Sequence, residues 1–388
     1  GPCCTGFAQK SPVGDQPSGR RHAQNLRLDA AYREMLPEAK PQKRHCSGES
    51  GGSGESGGVP VRSPDRFGPA FGCGCRSQLK ILRALMLWSV LVSGAIIMVL
   101  LGASKVVLDV QSFFPVLGTL ALLAGTALVC RLRGFITWSL MMETLAGGVA
   151  FSVLVLISSY LAISLNAPLA DATLVAIDQR MGFDGVGLIR FIDTMPLVSW
   201  ALMHAYASFS LQLILLPMLL ILFRHPARAF ALVLAYAAVG YVASFVSVWF
   251  PALGAHVVYA IDPGSLTSIN PYFGHAFLEQ FYPVREQSEF LFSLTTAEGI
   301  LTFPSVHAAV ALMCCVSAFS IPFLRFPLLA LNALMGFSTL THGGHYLVDV
   351  FAGFAVGALS LYCVGAVSRM PESNWTHAFQ PRSRRSAG

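Results

Sequence analysis

The chain has 388 residues, of which 54% are hydrophobic and only 12% charged. A soluble globular protein carries roughly 25% charged residues, so the composition excludes an ordinary water-soluble domain. The formal charge of +6 does not indicate nucleic acid. Most Lys and Arg lie in the first 83 residues, in short turns between apolar runs, and in the tail at Arg369, Arg382, Arg384 and Arg385. The positive-inside rule gives a membrane protein this distribution.

Residues 1–78 have the composition of a disordered cytoplasmic tail. Its Gly/Ser/Glu run from Ser47 to Gly58 is too polar to bury a core. Cys73-Gly-Cys75 at its end reads as free thiols on the reducing side or as a lipidation or metal site. None of the nine cysteines falls in a segment expected outside, so no disulfide framework is expected. Apolar runs of about the length that crosses a bilayer as helix follow at 84–103, 111–130, 146–165, 201–223, 229–250, 304–323, 328–343 and 345–367. The stretch 134–145, with Glu143, reads as an interfacial lead-in to the third span. The amphipathic stretch Leu174 to Phe183, with Asp178 and Asp184, is expected on the membrane surface.

With the N-terminus in the cytoplasm, the inner segments hold Arg131, Arg133, Arg224, Arg228, Arg325 and both tails. The outer ones hold only Lys105, Arg180, Arg190 and Arg285. Two outer segments are long, 166–199 and 251–303, and long loops in compact architectures usually have functional content. Both termini are therefore expected in the cytoplasm, and the plasma (inner) membrane is the expected location.

Two clusters at the outer ends of spans carry candidate chemistry. The first is Phe303-Pro304-Ser305-Val306-His307, the second Thr341-His342-Gly343-Gly344-His345-Tyr346-Leu347-Val348-Asp349. His345 and Asp349 are four apart at a helix start and share one face. The carboxylate can fix one imidazole nitrogen and leave the other free to attack an electrophile. Gly343 and Gly344 leave room beside the histidine for a substrate. Pro304 suits the first helical position of the sixth span. The amides beyond it, with the Ser305 hydroxyl, form an anion site, and His307 is placed as general acid. A lone HxxxD or PSxH pattern is more often structural; their joint placement at one depth favours catalysis.

These two motifs resemble the second and third signature motifs of the type 2 phosphatidic acid phosphatase superfamily. In detail they are similar to its inositol phosphorylceramide synthase-like and sphingomyelin synthase-like branch. The resemblance implies an all-α integral membrane protein, a polytopic helical bundle of about eight transmembrane helices. Two extra N-terminal spans would occupy 79–145, a six-helix catalytic core 146–368, and a basic cytoplasmic tail 369–388. It implies that His345 is the nucleophile forming a phosphohistidine, Asp349 its orienter and His307 the acid for the leaving alcohol. The site would face the outer or lumenal side, with no metal and no cofactor. The implied partners are the membrane and a phospholipid or sphingolipid substrate.

The chain departs from the family pattern at Val306, which stands where a glycine is usual. Ser338 and Thr339 stand where Ser-Arg is usual, and segment 251–303 has no lysine. Arg285 is its sole strong cation, and reads as a phosphate ligand or as a surface partner of Glu286 or Glu289. Fewer cations weaken binding of a dianionic monoester more than of a monoanionic diester, which favours headgroup transfer between lipids over phosphatidic acid or lipid pyrophosphate hydrolysis. His342 reads as a phosphate-steering group or as inert. His204 and Tyr206 read as headgroup-pocket residues or as inter-helix hydrogen-bonding groups. His256 and His275 read as solvated loop imidazoles. A non-catalytic lipid binder or transporter is the competing class.

Overall fold

The computed structural model describes residues 73–369. The disordered tail expected over residues 1–72, the last tail from residue 370 on, and the Cys73 and Cys75 side chains lie outside the described residues.

The chain runs α1 (Cys73–Gly102), β1 (Val106–Leu108), α2 (Phe114–Leu132), α3 (Ile136–Ser164), α4 (Asp171–Arg180), α5 (Gly185–Asp193), α6 (Pro196–Leu222) and α7 (Pro226–Ser247). It continues through the single turns α8 (Ala255–Val258) and α9 (Tyr272–His275), then α10 (Leu278–Glu286) and β2 (Phe290–Phe292). It ends with α11 (Val306–Ala318), α12 (Arg325–Thr341) and α13 (Leu347–Ser368). The protein is thus an all-α polytopic membrane protein, and each of the eight apolar runs falls on one of α1, α2, α3, α6, α7, α11, α12 and α13. Six of these are long and apolar enough to cross a bilayer. The other two, α11 with 13 residues and α12 with 17, fall short of the roughly 20 that a lone span needs.

Burial explains why α11 can be short. It packs against α6, α7, α12 and α13, and Ala308, Ala309, Val310, Met313 and Cys314 are fully buried. α13 approaches it through small residues. A Cβ at Gly353 would run into the Ser305 carbonyl, and one at Gly357 would sit 2.8 Å from the Ala309 carbonyl. α7 is central, touching α1, α3, α6, α11 and α13. α2 lies against α3 and turns Leu117, Leu122, Leu128 and Leu132 outward, as a lipid-facing helix does.

Two sequence expectations need correction. Residues 134–145 are not a separate lead-in, because α3 begins at Ile136 and runs unbroken to Ser164. Glu143 fits inside the helix because Arg83 of α1 clamps it with two bonds of 2.7 and 2.8 Å. Leu174 to Phe183 does not lie free on a surface. It is largely α4, whose Asp171, Leu174 and Asp178 are buried and which packs against α13 and α8. The sequence reading also contained no strand. β1 and β2 pair in parallel, Val106 opposite Phe290 and Leu108 opposite Phe292, and tie the turn after α1 to segment 251–303.

Candidate active site

The site forms where α11 and α13 start, beside segments 166–199 and 251–303. His345 precedes α13 and is buried at 5% exposure, while Asp349 in the first turn is fully buried. The i, i+4 spacing puts Asp349 Oδ2 3.4 Å from His345 Nδ1. This is an ion-pair contact rather than an aligned hydrogen bond, since Nδ1 and Asp349 Oδ1 have no hydrogen-bond partner. A buried imidazole nitrogen is best satisfied by the carboxylate it faces, and Nε2 is left as the ring nitrogen able to meet a substrate. Asp349 Oδ2 also accepts the Tyr346 N–H at 2.9 Å, which fixes the carboxylate.

His307 sits in the first turn of α11. Its ring stacks on Tyr206 of α6, centroids 4.1 Å apart and planes 10° apart, and meets Phe209 at 4.3 Å. Tyr206 and His345 both border Gly343: a Cβ added there would be 2.7 Å from Tyr206 Cε2 and 3.0 Å from His345 Cδ2.

The remaining candidates divide. Ser305 is buried and is the N-cap of α11, its Oγ accepting the Ala308 N–H at 3.3 Å. Pro304 therefore precedes the cap and is not the first helical residue. The space beside Gly343 is filled by Tyr206, and that beside Gly344 by His256, whose Cγ would lie 3.2 Å from an added Cβ. These glycines make room for protein rather than for substrate, and Gly344, at φ +64°, uses a backbone conformation that favours glycine. His342 is fully buried, with Nδ1 3.0 Å from Thr341 Oγ1 and Nε2 3.3 Å from Ser199 Oγ. The Arg285 guanidinium donates to the Ala167 carbonyl at 2.8 Å and lies over Phe281; no bond to Glu286 or Glu289 forms. His204 is exposed, with its ring on Trp200, so of the expected pocket pair only Tyr206 joins the histidines.

Three further residues belong to the site, and the sequence reading gave none of them this place. His256 is not a solvated imidazole. It is buried, with Nε2 3.0 Å from the Thr341 carbonyl. Burial pushes it down to about 4, and the neighbouring His275 adds to the shift. Asp178 accepts the Leu347 and Val348 N–H groups at 2.8 and 3.0 Å. Asp171 accepts the Tyr346 hydroxyl at 2.9 Å and the Leu253 and Gly254 N–H groups. Only tertiary structure brings these carboxylates to α13, and their acceptor role toward backbone amides leaves no motif. Among the described residues, no cluster of three or more His, Cys, Asp or Glu is arranged to hold a metal ion.

A helical membrane bundle with a carboxylate-backed histidine near a second histidine has the parts of a phosphate-ester enzyme. Residues 172–363 match the family model described as PAP2 superfamily, which points to an enzyme of the phosphatase or phosphotransferase type. The match spans α4 to most of α13 and includes His307, His345 and Asp349, while α1, α2 and α3 precede it. No curated protein and no solved structure matches the chain.

Proposed function

We propose that this protein is a membrane lipid phosphotransferase that moves a phosphoryl headgroup between lipids through a phosphohistidine at the outer membrane face. The observation carrying the proposal is the buried His345–Asp349 pair with Nε2 left free, close to His307 on its Tyr206 stack. His345 Nε2 attacks phosphorus as the bond to the leaving oxygen breaks, and His307 gives that oxygen a proton. Asp349 balances the positive imidazole. An acceptor hydroxyl then attacks phosphorus, the P–N bond breaks, and His307 takes the hydroxyl proton. The Val306 and His307 N–H groups at the start of α11 have no acceptor among the described residues and offer donors for phosphate oxygens.

Transfer is preferred to hydrolysis because the outer segment that the match includes carries few cations and Arg285 is engaged by Ala167. A singly charged diester needs fewer cations than a phosphate monoester. The test offers purified protein in lipid labelled phosphatidylinositol with ceramide or diacylglycerol, and separately phosphatidic acid, each beside His345→Ala. Label entering a new lipid, lost in the variant, supports transfer. Free phosphate as the sole product makes the protein a phosphatase. Inactivity of both proteins across a broad lipid panel favours a non-catalytic lipid binder.

A further inference from the structure

We infer that Asp171 and Asp178 of α4 are positioning residues that hold the backbone on both sides of His345, an inference that rests on His345 being the nucleophile. Asp178, 1% exposed, places one carboxylate oxygen on the Leu347 N–H and the other on the Val348 N–H. With Asp349 on the Tyr346 N–H, three successive amides at the start of α13 are held by carboxylates. Asp171, 5% exposed, reaches both neighbours of His345. It takes the Tyr346 hydroxyl directly. Through the Leu253 and Gly254 amides it fixes the turn from which Ala255 N–H donates to the Gly344 carbonyl at 2.6 Å.

Burying two carboxylates is costly unless donors meet them, and here every donor but the Tyr346 hydroxyl is a backbone amide. Backbone amides at a helix start would be satisfied more simply by the N-cap side chain. Tyr346 at that position supplies no side-chain cap; the cap comes instead from α4, some 170 residues earlier in the chain. The consequence is that the direction of α13, and with it the angle at which His345 faces Asp349, is set by α4. It also follows that the start of α13 has no amide left for the substrate phosphate, so α11 must supply those donors.

The experiment uses the full chain in lipid nanodiscs, comparing wild type with Asp178→Ala, Asp178→Asn, Tyr346→Phe and the control Asp184→Asn. Asp184 caps only its own helix, at the Gly187 N–H. Two readouts are taken: amide hydrogen exchange over 345–350, and kcat and KM with labelled phosphatidylinositol plus ceramide and with phosphatidic acid. Asp178→Ala is expected to exchange roughly tenfold faster at Leu347 and Val348 and to lose kcat by roughly tenfold to a hundredfold with KM unchanged. Asp178→Asn, which keeps one acceptor oxygen, should fall between. Tyr346→Phe removes only the hydroxyl and should lose several-fold in kcat, so the inference stays open to test if Asp178→Ala does not fold. Asp184→Asn should match wild type in both. Unchanged exchange in Asp178→Ala overturns the inference, and so does faster exchange with unchanged kcat. Faster exchange in a protein whose wild type turns over neither lipid upholds the clamp and sinks the proposed function instead.

Discussion

Two helices start at this site, and they start differently. α13 begins with amides already taken by Asp178 and Asp349, so the positive end of its dipole is neutralised from within the protein. α11 begins with a single side-chain cap, Ser305 on the Ala308 N–H, and leaves the amides before it open. On the proposed function, one start holds the nucleophile still and the other receives an anion. A helix start is thus an anion site only where no internal carboxylate reaches it first.

On the proposed roles, in which His345 is the nucleophile and His307 the proton donor, the largest effects should separate the two starts by chemistry. His345→Gln removes the nucleophile and should cut turnover by roughly 1000-fold or more whatever the leaving group. His307→Gln removes the proton donor and should cost roughly 100-fold or more on a lipid ester. The same variant should approach wild type on an aryl phosphate ester whose leaving group needs no proton. Measuring both variants on both substrates checks the assignment: equal losses for His307→Gln on the two esters would remove it from the acid role.

The contrast also marks how far the sequence could be read. The eight apolar helices were legible because hydropathy is a local property, and His307, His345 and Asp349 stood out as candidates because they form two short motifs. Glu143 misled because its partner Arg83 lies 60 residues away. Asp178 misled for the same reason, and Asp171 drew no reading at all. A carboxylate on an amphipathic stretch looks solvated until the fold brings amides to it, and those amides belong to Leu253, Gly254, Leu347 and Val348. His256 looked solvated because an imidazole in a long loop is solvated by default, yet the fold seats it against Gly344 and Gly274.

His256 gives a pH test on the α13 side. Its folded value of about 4 lies below the ordinary 6.5, with burial first and His275 second among the causes. Between those values the unfolded chain binds more protons than the folded one, so stability rises with pH. Stability should therefore fall as pH drops through this window, by on the order of 3 kcal/mol from this one group. Melting temperatures of wild type and His256→Asn across that range check it. Loss of the slope in His256→Asn is expected, and an unchanged slope would assign it to other groups.

A smaller effect belongs to Asp193, at the end of α5, which gathers the Thr267, Ser268 and Ile269 N–H groups. Burial alone would raise its pKa, but these amides outweigh burial and lower it. Its contribution is present above the ordinary carboxylate value and lost as pH falls through the depressed one. Since the group is only partly buried, solvent screens it. Asp193→Asn should loosen segment 262–270 in hydrogen exchange while leaving exchange at Leu347 and Val348 as in wild type. A change at the start of α13 would mean that the outer segments move as one body.

The smallest effect falls on the α11 side. Ser305→Ala deletes the one side-chain cap there, which costs about 1 kcal/mol in a typical helix. It also frees the Ala308 N–H beside the two amides that are already open. If α11 is the anion-receiving start, that extra donor offsets the lost hydroxyl, and KM for phosphatidylinositol should change less than twofold while the melting temperature falls by a few degrees. The corresponding removal at α13, Asp178→Ala, should do the reverse, sparing KM and lowering kcat. A large rise in KM for Ser305→Ala would show instead that the Ser305 hydroxyl itself binds the phosphate, and that the two starts share the work of holding the substrate.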